Sequence, residues 1–131
     1  MVVDSSVLLQ ILFAEPGARD ALHALLTKPG TKMASPTLLK TEIVFGSTAG
    51  FSSGAVAELV DRAAIEVIPF TQEHASEAKL AYARYGKGQG HAANLNFGDC
   101  ISYALAKTTG EHLVFKGEDF VHTDLKILKL G

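Results

Sequence analysis

A single cysteine, Cys100, is all the thiol in this chain of 131 residues, so no internal disulfide can form and no cysteine-based zinc cluster can be built. A reducing cytoplasm is the compartment this fits. A basic excess is missing too. Twelve Lys and Arg stand against 14 Asp and Glu, for a formal charge of −2, which argues against broad, nonspecific nucleic-acid affinity. It does not exclude a nucleic-acid enzyme in which divalent ions bridge phosphate to carboxylates. No apolar run approaches the ~20 residues of a membrane span, and the early Asp4 leaves no room for a secretory signal. Several familiar catalytic devices are also missing. There is no Gly-x-Ser-x-Gly elbow and no His-Glu-x-x-His, and the five histidines lack metal-ligand spacing.

What is present is ordinary globular composition, 47% apolar and 20% charged. A chain of this size folds as one domain, here 1–131, burying roughly two-thirds of its unfolded surface without staples. Repeats, low-complexity segments and a second domain are not expected.

Met1 to Val3 is an apolar run of strand character that stops at Asp4. Ser5 and Ser6 then cap a helix over Val7 to Phe13, closed by Pro16 and Gly17. Ala18 to Leu26 is a second helix, and Lys32 to Ala34 a short strand. Ser35-Pro36 is a strong helix start, with Ser as cap and Pro in the first turn. Another helix follows Ser52-Ser53-Gly54, Ile65 to Phe70 reads as a strand, and Thr71 caps a helix from Gln72 to about Tyr85. In that helix Ala75, Ala78, Leu80, Ala81 and Tyr82 form the apolar set. Gly86 to Gly90 is glycine-rich but follows a helix, which makes it a poor dinucleotide or phosphate loop. It reads as a flexible connection, or as a flap in which Lys87 or His91 touches substrate. From Leu95 to Lys107 Phe97, Ile101, Ala104, Leu105 and Thr108 recur at helical spacing, and Gly110 supplies the left-handed stop. Leu113 to Phe115 is a buried-type strand, and Ile127 to Leu130 a final edge strand.

Four acids stand out against that background. Asp4 and Asp119 follow strand ends, and Asp99 sits in the first turn of a helix. Each has a local explanation as a cap, Asn96 and Asp99 forming a reciprocal pair. Glu42 is different. At about 100° per residue, Leu38, Leu39, Ile43 and Phe45 define an apolar face with Glu42 near its centre and Lys40 opposite. A carboxylate aimed at a core is costly unless paired, protonated or bound to metal. Glu42 is therefore expected to face the site and Lys40 to face solvent.

The alternation of strands and helix pairs predicts a three-layer α/β/α domain with a central, largely parallel sheet. Right-handed crossovers then gather the turns after the strands on one edge, bringing Asp4, Asp119, Glu42 and Asp99 together. Four carboxylates in one cleft suit Mg²⁺ or Mn²⁺, hard ions that prefer oxygen. The chemistry that fits is phosphodiester hydrolysis.

Met-Val-Val-Asp-Ser-Ser at the start, Leu-Asn-Phe-Gly-Asp-Cys around Asp99 and Phe-Lys-Gly-Glu-Asp-Phe-Val-His-Thr-Asp near the end together resemble the PIN-domain ribonucleases, specifically the VapC-type toxins of bacterial toxin–antitoxin pairs. The resemblance implies a Mg²⁺-dependent endoribonuclease, homodimeric, restrained by a VapB-type antitoxin, with tRNA or rRNA as substrate. It carries Asp4, Asp99 and Asp119 over as the family's acids, with Ser5 or Ser6 as the hydroxyl beside the first, and Lys116 falls within the last motif as a candidate substrate contact. In the branch sharing this C-terminal half an acid is expected after Thr-Leu-Leu, where Lys40 stands. Glu42, before Ile-Val-Phe-Gly, fits the register of other branches. Two further classes stay open: a non-catalytic relative whose site Lys40 has neutralised, kept as an antitoxin- or RNA-binding module, and a receiver-like phosphoacceptor. The latter needs paired acids after the first strand, and here Ser5 follows Asp4.

Overall fold

The computed structural model describes residues 1–129. Five strands, β1 (Val2–Val3), β2 (Lys32–Ala34), β3 (Glu66–Ile68), β4 (Leu113–Phe115) and β5 (Ile127–Lys129), form one parallel sheet in the order β3-β2-β1-β4-β5. Leu130, expected at the end of the last strand, lies outside the described residues. Six helices connect the strands: α1 (Ser5–Leu12), α2 (Ala18–Thr27), α3 (Ser35–Ala49), α4 (Ala55–Arg62), α5 (Gln72–Tyr85) and α6 (Phe97–Thr109). The chain steps outward from β1 through β2 to β3, then returns to the other side of β1 for β4 and β5. The carboxyl ends of β1 and β4 thus flank the switch point at which open α/β sheets hold ligands.

Strand side chains alternate between two cores. Val2, Ala34, Leu113 and Phe115 pack with Tyr85, Ile101 and Leu105 on the face covered by α5 and α6. Val3, Met33 and Val114 pack with Val7, Leu8, Ala21 and Leu25 on the face covered by α1 and α2. The result is the expected three-layer arrangement. Helix α6 is buried from Asp99 to Ala106 and stops at Gly110, whose φ of 72° only glycine adopts without strain. No helix among the described residues is long and apolar enough to cross a membrane.

Local differences from the sequence reading concern helix starts and faces. Asp4, not Ser5 or Ser6, is the N-cap of α1, and both serines lie in the first turn. Likewise Ala34 stands at the N-cap of α3, with Ser35 and Pro36 inside the helix. Leu80 and Tyr82, expected among the buried set of α5, are exposed. Phe97, expected on the apolar face of α6, is 79% exposed at the helix start.

The larger correction is the face of α3. Its buried side is formed by Thr37, Thr41 and Phe45, with Leu38 packed at one flank, whereas Leu39 is 60% and Ile43 49% exposed. Thr41 can be buried because its hydroxyl donates to the Thr37 carbonyl at 2.8 Å, so no unmet polar group enters the core. Measured from that true face, Lys40 and Glu42 fall on opposite flanks, roughly 200° apart, and both are half-buried. Thr41→Lys is therefore expected to cost more than about 3 kcal/mol of stability. Ile43→Lys should stay within about 0.5 kcal/mol. Urea titration of both variants checks this, and the reverse order would restore the apolar-residue face.

Candidate active site

Asp4 follows β1 directly and is almost fully buried. Its backbone N–H donates to the Val114 carbonyl at 3.0 Å, continuing the sheet, while both side-chain oxygens are engaged. Oδ2 accepts the Ser6 backbone N–H at 3.1 Å and Oδ1 accepts the Ser102 hydroxyl at 2.6 Å. Ser102 lies one helical turn beyond Asp99 on α6, so the same helix that brings the second acid also orients the first.

Asp99 occupies the third position of α6 in a reciprocal capping arrangement. Its N–H donates to Asn96 Oδ1 at 2.8 Å, and its Oδ2 accepts the Asn96 N–H at 3.0 Å. This bond holds the carboxylate in one rotamer beside Asp4. Its carboxyl is pushed up from the ordinary 3.8 to about 6. Burial is the main cause, opposed by the Asn96 N–H; the charges of Asp4 and Asp119 raise it further, and the Lys40 ammonium lowers it.

Asp119 comes from the loop after β4. Gly117, at φ 104°, allows the turn, and Phe120 plugs the loop against the Phe115 ring at 5.0 Å. Further along, Asp124 accepts from the Tyr103 hydroxyl at 2.6 Å and the Lys107 ammonium at 2.8 Å, tying the loop to α6. The polar cleft that results has a volume of about 420 Å³ and is lined by Asn96, Asp99, Glu118, Asp119, Lys87 and His122. Among the described residues no three His, Cys, Asp or Glu side chains stand grouped so as to hold a metal ion; Asp99 and Asp119 line the cleft while Asp4 does not, and Asp4 and Asp119 act on Asp99 as charges.

The other candidates divide. Lys87 lines the cleft. His91 does not line it: it stacks edge-on against Tyr85 at 4.9 Å and accepts the Ala93 N–H on Nδ1. Ser5 is buried, and Ser6 Oγ accepts the Lys116 N–H at 3.0 Å, pinning β4 to α1. The Lys116 ammonium is paired with Glu15 at 2.7 Å. Lys40 is among the charges that act on Asp99. Lys40 lies across the first turn of α6, its Nζ 2.8 Å from where a β-carbon on Gly98 would stand. The expectation that Lys40 faces solvent is overturned: threonines and not leucines define the inner side of α3, and Lys40 lies half-buried against the first turn of α6, with Glu42 half-buried on the opposite flank. Ser102 and His122 were not singled out from sequence. The signal for Ser102 was present, as a polar residue one turn after Asp99 in an otherwise apolar stretch.

A parallel five-stranded sheet between helical layers is a PIN-like fold, and the chain belongs to that family: the model of the PIN domain matches residues 1–126. Within it the curated relatives are VapC-type proteins. The chain is 44% identical over 126 residues to ribonuclease VapC of Mycolicibacterium smegmatis, covering 95% of this chain and 97% of that one. It is 40% identical to ribonuclease VapC30 of Mycobacterium tuberculosis, over 99% of each. In three dimensions it is similar to Mycobacterium tuberculosis VapC20, described as a sarcin-ricin loop cleaving toxin, with a TM-score of 0.75 at 19% identity over 95% of both chains. A toxin–antitoxin complex from Klebsiella pneumoniae matches with a TM-score of 0.72 at 16% identity, over 97% of this chain and 94% of that one.

The folded protein holds the Asp99 proton more tightly than the unfolded chain does, so stability falls as pH rises from about 4 to about 6. Asp99→Asn keeps an acceptor for the Asn96 N–H and removes the charge. In metal-free buffer it should raise the melting temperature by several degrees at about pH 7.5 and by almost nothing near pH 4. Calorimetry at both pH values checks this; an equal shift at both would mean that charge at Asp99 is not the cause.

Proposed function

We propose that this protein is a Mg²⁺- or Mn²⁺-dependent endoribonuclease, the toxin of a toxin–antitoxin pair. What supports the reading is the buried Asp99 carboxyl, whose proton affinity is raised chiefly by burial and further by the charges of Asp4 and Asp119. Charges arranged this way favour a bound cation, and a set of hard carboxylate oxygens in a polar cleft suits Mg²⁺ or Mn²⁺. Asp4, Asp99 and Asp119 would hold the ion. Glu42, expected from sequence as a fourth ligand, is left out of the proposed set because Lys40 takes the flank of α3 that meets α6. What such an ion supplies is ionisation of a water and offset of charge on the scissile phosphate. The chain's own part is positional. Ser102 and the Ser6 N–H fix Asp4, Asn96 fixes Asp99, and Lys87 and His122 line the cleft where phosphates would pass. RNA as substrate, of the tRNA or rRNA class, follows the names of the 40–44% identical relatives. A VapB-type antitoxin is the proposed partner, since neighbours of this fold occur in toxin–antitoxin complexes. Exposed Leu39 and Ile43 on α3 give apolar surface for homodimer contact. A cytoplasmic home accords with the one buried thiol.

Lys40 favours a second reading, a catalytically impaired relative that binds RNA or antitoxin without cutting. The two readings separate in one assay. Purified partner-free protein should cleave RNA with Mg²⁺ or Mn²⁺ and stop with EDTA. Ser102→Ala, which frees the Asp4 carboxylate, should lower the rate by about 10–100-fold, and Glu42→Gln should leave it near wild type. If the wild type is inert and Lys40→Glu cuts, the impaired reading is correct.

Metal binding gives an independent measure. Mg²⁺ binds only the folded state, so it should raise the melting temperature by mass action. The shift should shrink below about pH 6, where protons compete at Asp99. A shift independent of pH would place the ion away from Asp99.

A further inference from the structure

Beside the acidic cleft, between the first turns of α3 and α6, runs a second groove of about 310 Å³ walled by Pro36, Thr37 and Lys40 on one side and Phe97, Gly98 and Ile101 on the other. Asn96 borders both this groove and the acidic cleft, so the two adjoin at the capping residue that fixes Asp99. Anything that lies in the groove and extends past Asn96 reaches the aspartates.

Two groups in the groove have no explanation in the fold. Phe97 is 79% exposed, the most exposed large apolar side chain among the described residues. It nevertheless stands on the first residue of a helix that is buried for most of its length, so its backbone is held rigidly. Lys40 lies over Gly98, where the missing β-carbon leaves room for its methylenes and ammonium. Among the described residues no carboxylate is within ion-pairing distance of it, although it is close enough to act on Asp99. A cation and a fixed, exposed ring side by side match the two chemical halves of a nucleotide. The ammonium meets a phosphate, and the ring offers a stacking surface to an unpaired base, the usual means by which single strands are held.

We propose that this groove is a subsite for one nucleotide of single-stranded RNA next to the cut position, with Lys40 on its phosphate and the Phe97 ring against its base. The proposal rests on the ribonuclease reading for the choice of RNA as ligand. Charge favours a nucleic acid over an apolar protein segment, since the groove pairs its ring with an ammonium and an amide. The lysine that replaces the acid expected after Thr-Leu-Leu thereby acquires a use: it adds a phosphate contact where a carboxylate would repel one.

The test measures binding without chemistry. A fluorescently labelled single-stranded RNA oligonucleotide is titrated with the full-length protein in EDTA, where no cleavage occurs, and anisotropy is read at several salt concentrations. Phe97→Ala should weaken binding about tenfold and Phe97→Tyr should restore it, as stacking on an aromatic face requires. Lys40→Ala should weaken binding and flatten the slope of log affinity against log salt by about 0.7, the loss of one phosphate contact on a single strand. Melting temperatures of both Phe97 variants should match wild type, and that of Lys40→Ala should match it at about pH 4, where Asp99 is protonated in the folded protein. If Phe97→Ala and Lys40→Ala bind RNA as the wild type does, the subsite does not exist; a change in sedimentation of Phe97→Ala with RNA binding intact would instead make the ring a protein contact. The nuclease reading fails separately. Wild type that binds RNA in EDTA through both residues but does not cut with Mg²⁺ keeps the subsite and loses the enzyme.

Discussion

Carboxylates that a fold holds together repel one another, and here that repulsion is imposed by the sheet itself. Because β1 and β4 are neighbours whose connections leave in opposite directions, the residues after them must meet at one crevice. Asp4 and Asp119 are those residues, and α6 delivers Asp99 between them. Repulsion adds to burial, the larger cause, at Asp99, whose proton is held well above the ordinary range. It reaches the neighbouring residue as well: burial and the Asp99 charge push the Cys100 thiol up to about 11, so that group stays protonated and unreactive. The surroundings are built to contain the repulsion. Ser102 and the Ser6 N–H each give Asp4 a donor, Asn96 gives one to Asp99, and Lys40 supplies a positive charge from α3.

How much of this can be read from sequence depends on which signal each element carries. Strands β2 and β4 and helix α5 lie where their patterns place them, because short apolar runs and a Thr71 cap leave little choice. The parallel sheet follows from the alternation of strands and helices, whereas its order, β3-β2-β1-β4-β5, comes from the structure. The inner face of α3 was hidden for a specific reason. Sequence patterns score leucine and isoleucine as inward, but a threonine whose hydroxyl is satisfied by its own helix buries equally well, and Thr41 does so. Once the face is rotated onto Thr37 and Thr41, Lys40 and Glu42 fall on opposite flanks, both half-buried, with Lys40 on the flank that meets α6. Phe97 misled in the same way, since an aromatic at helical spacing reads as core whether or not the helix has yet entered the core.

Asp99 also shows that a local and a functional explanation of one residue can both hold. From sequence, the capping role and the site role look like competing accounts. In the structure the capping bond uses Oδ2 alone, and it is this bond that stops the carboxylate from rotating away from Asp4 and Asp119. Without it, mutual repulsion would favour a rotamer turned toward solvent. The same holds at Asp4, where the N-cap bond to Ser6 and the Ser102 hydroxyl fix the carboxylate in place. Hydrogen bonds that would be unremarkable at any helix start therefore oppose the electrostatic force that the fold creates. Rigidity here comes from capping chemistry, and so the most ordinary contacts around Asp4 and Asp99 are also the ones that hold these two carboxylates in place.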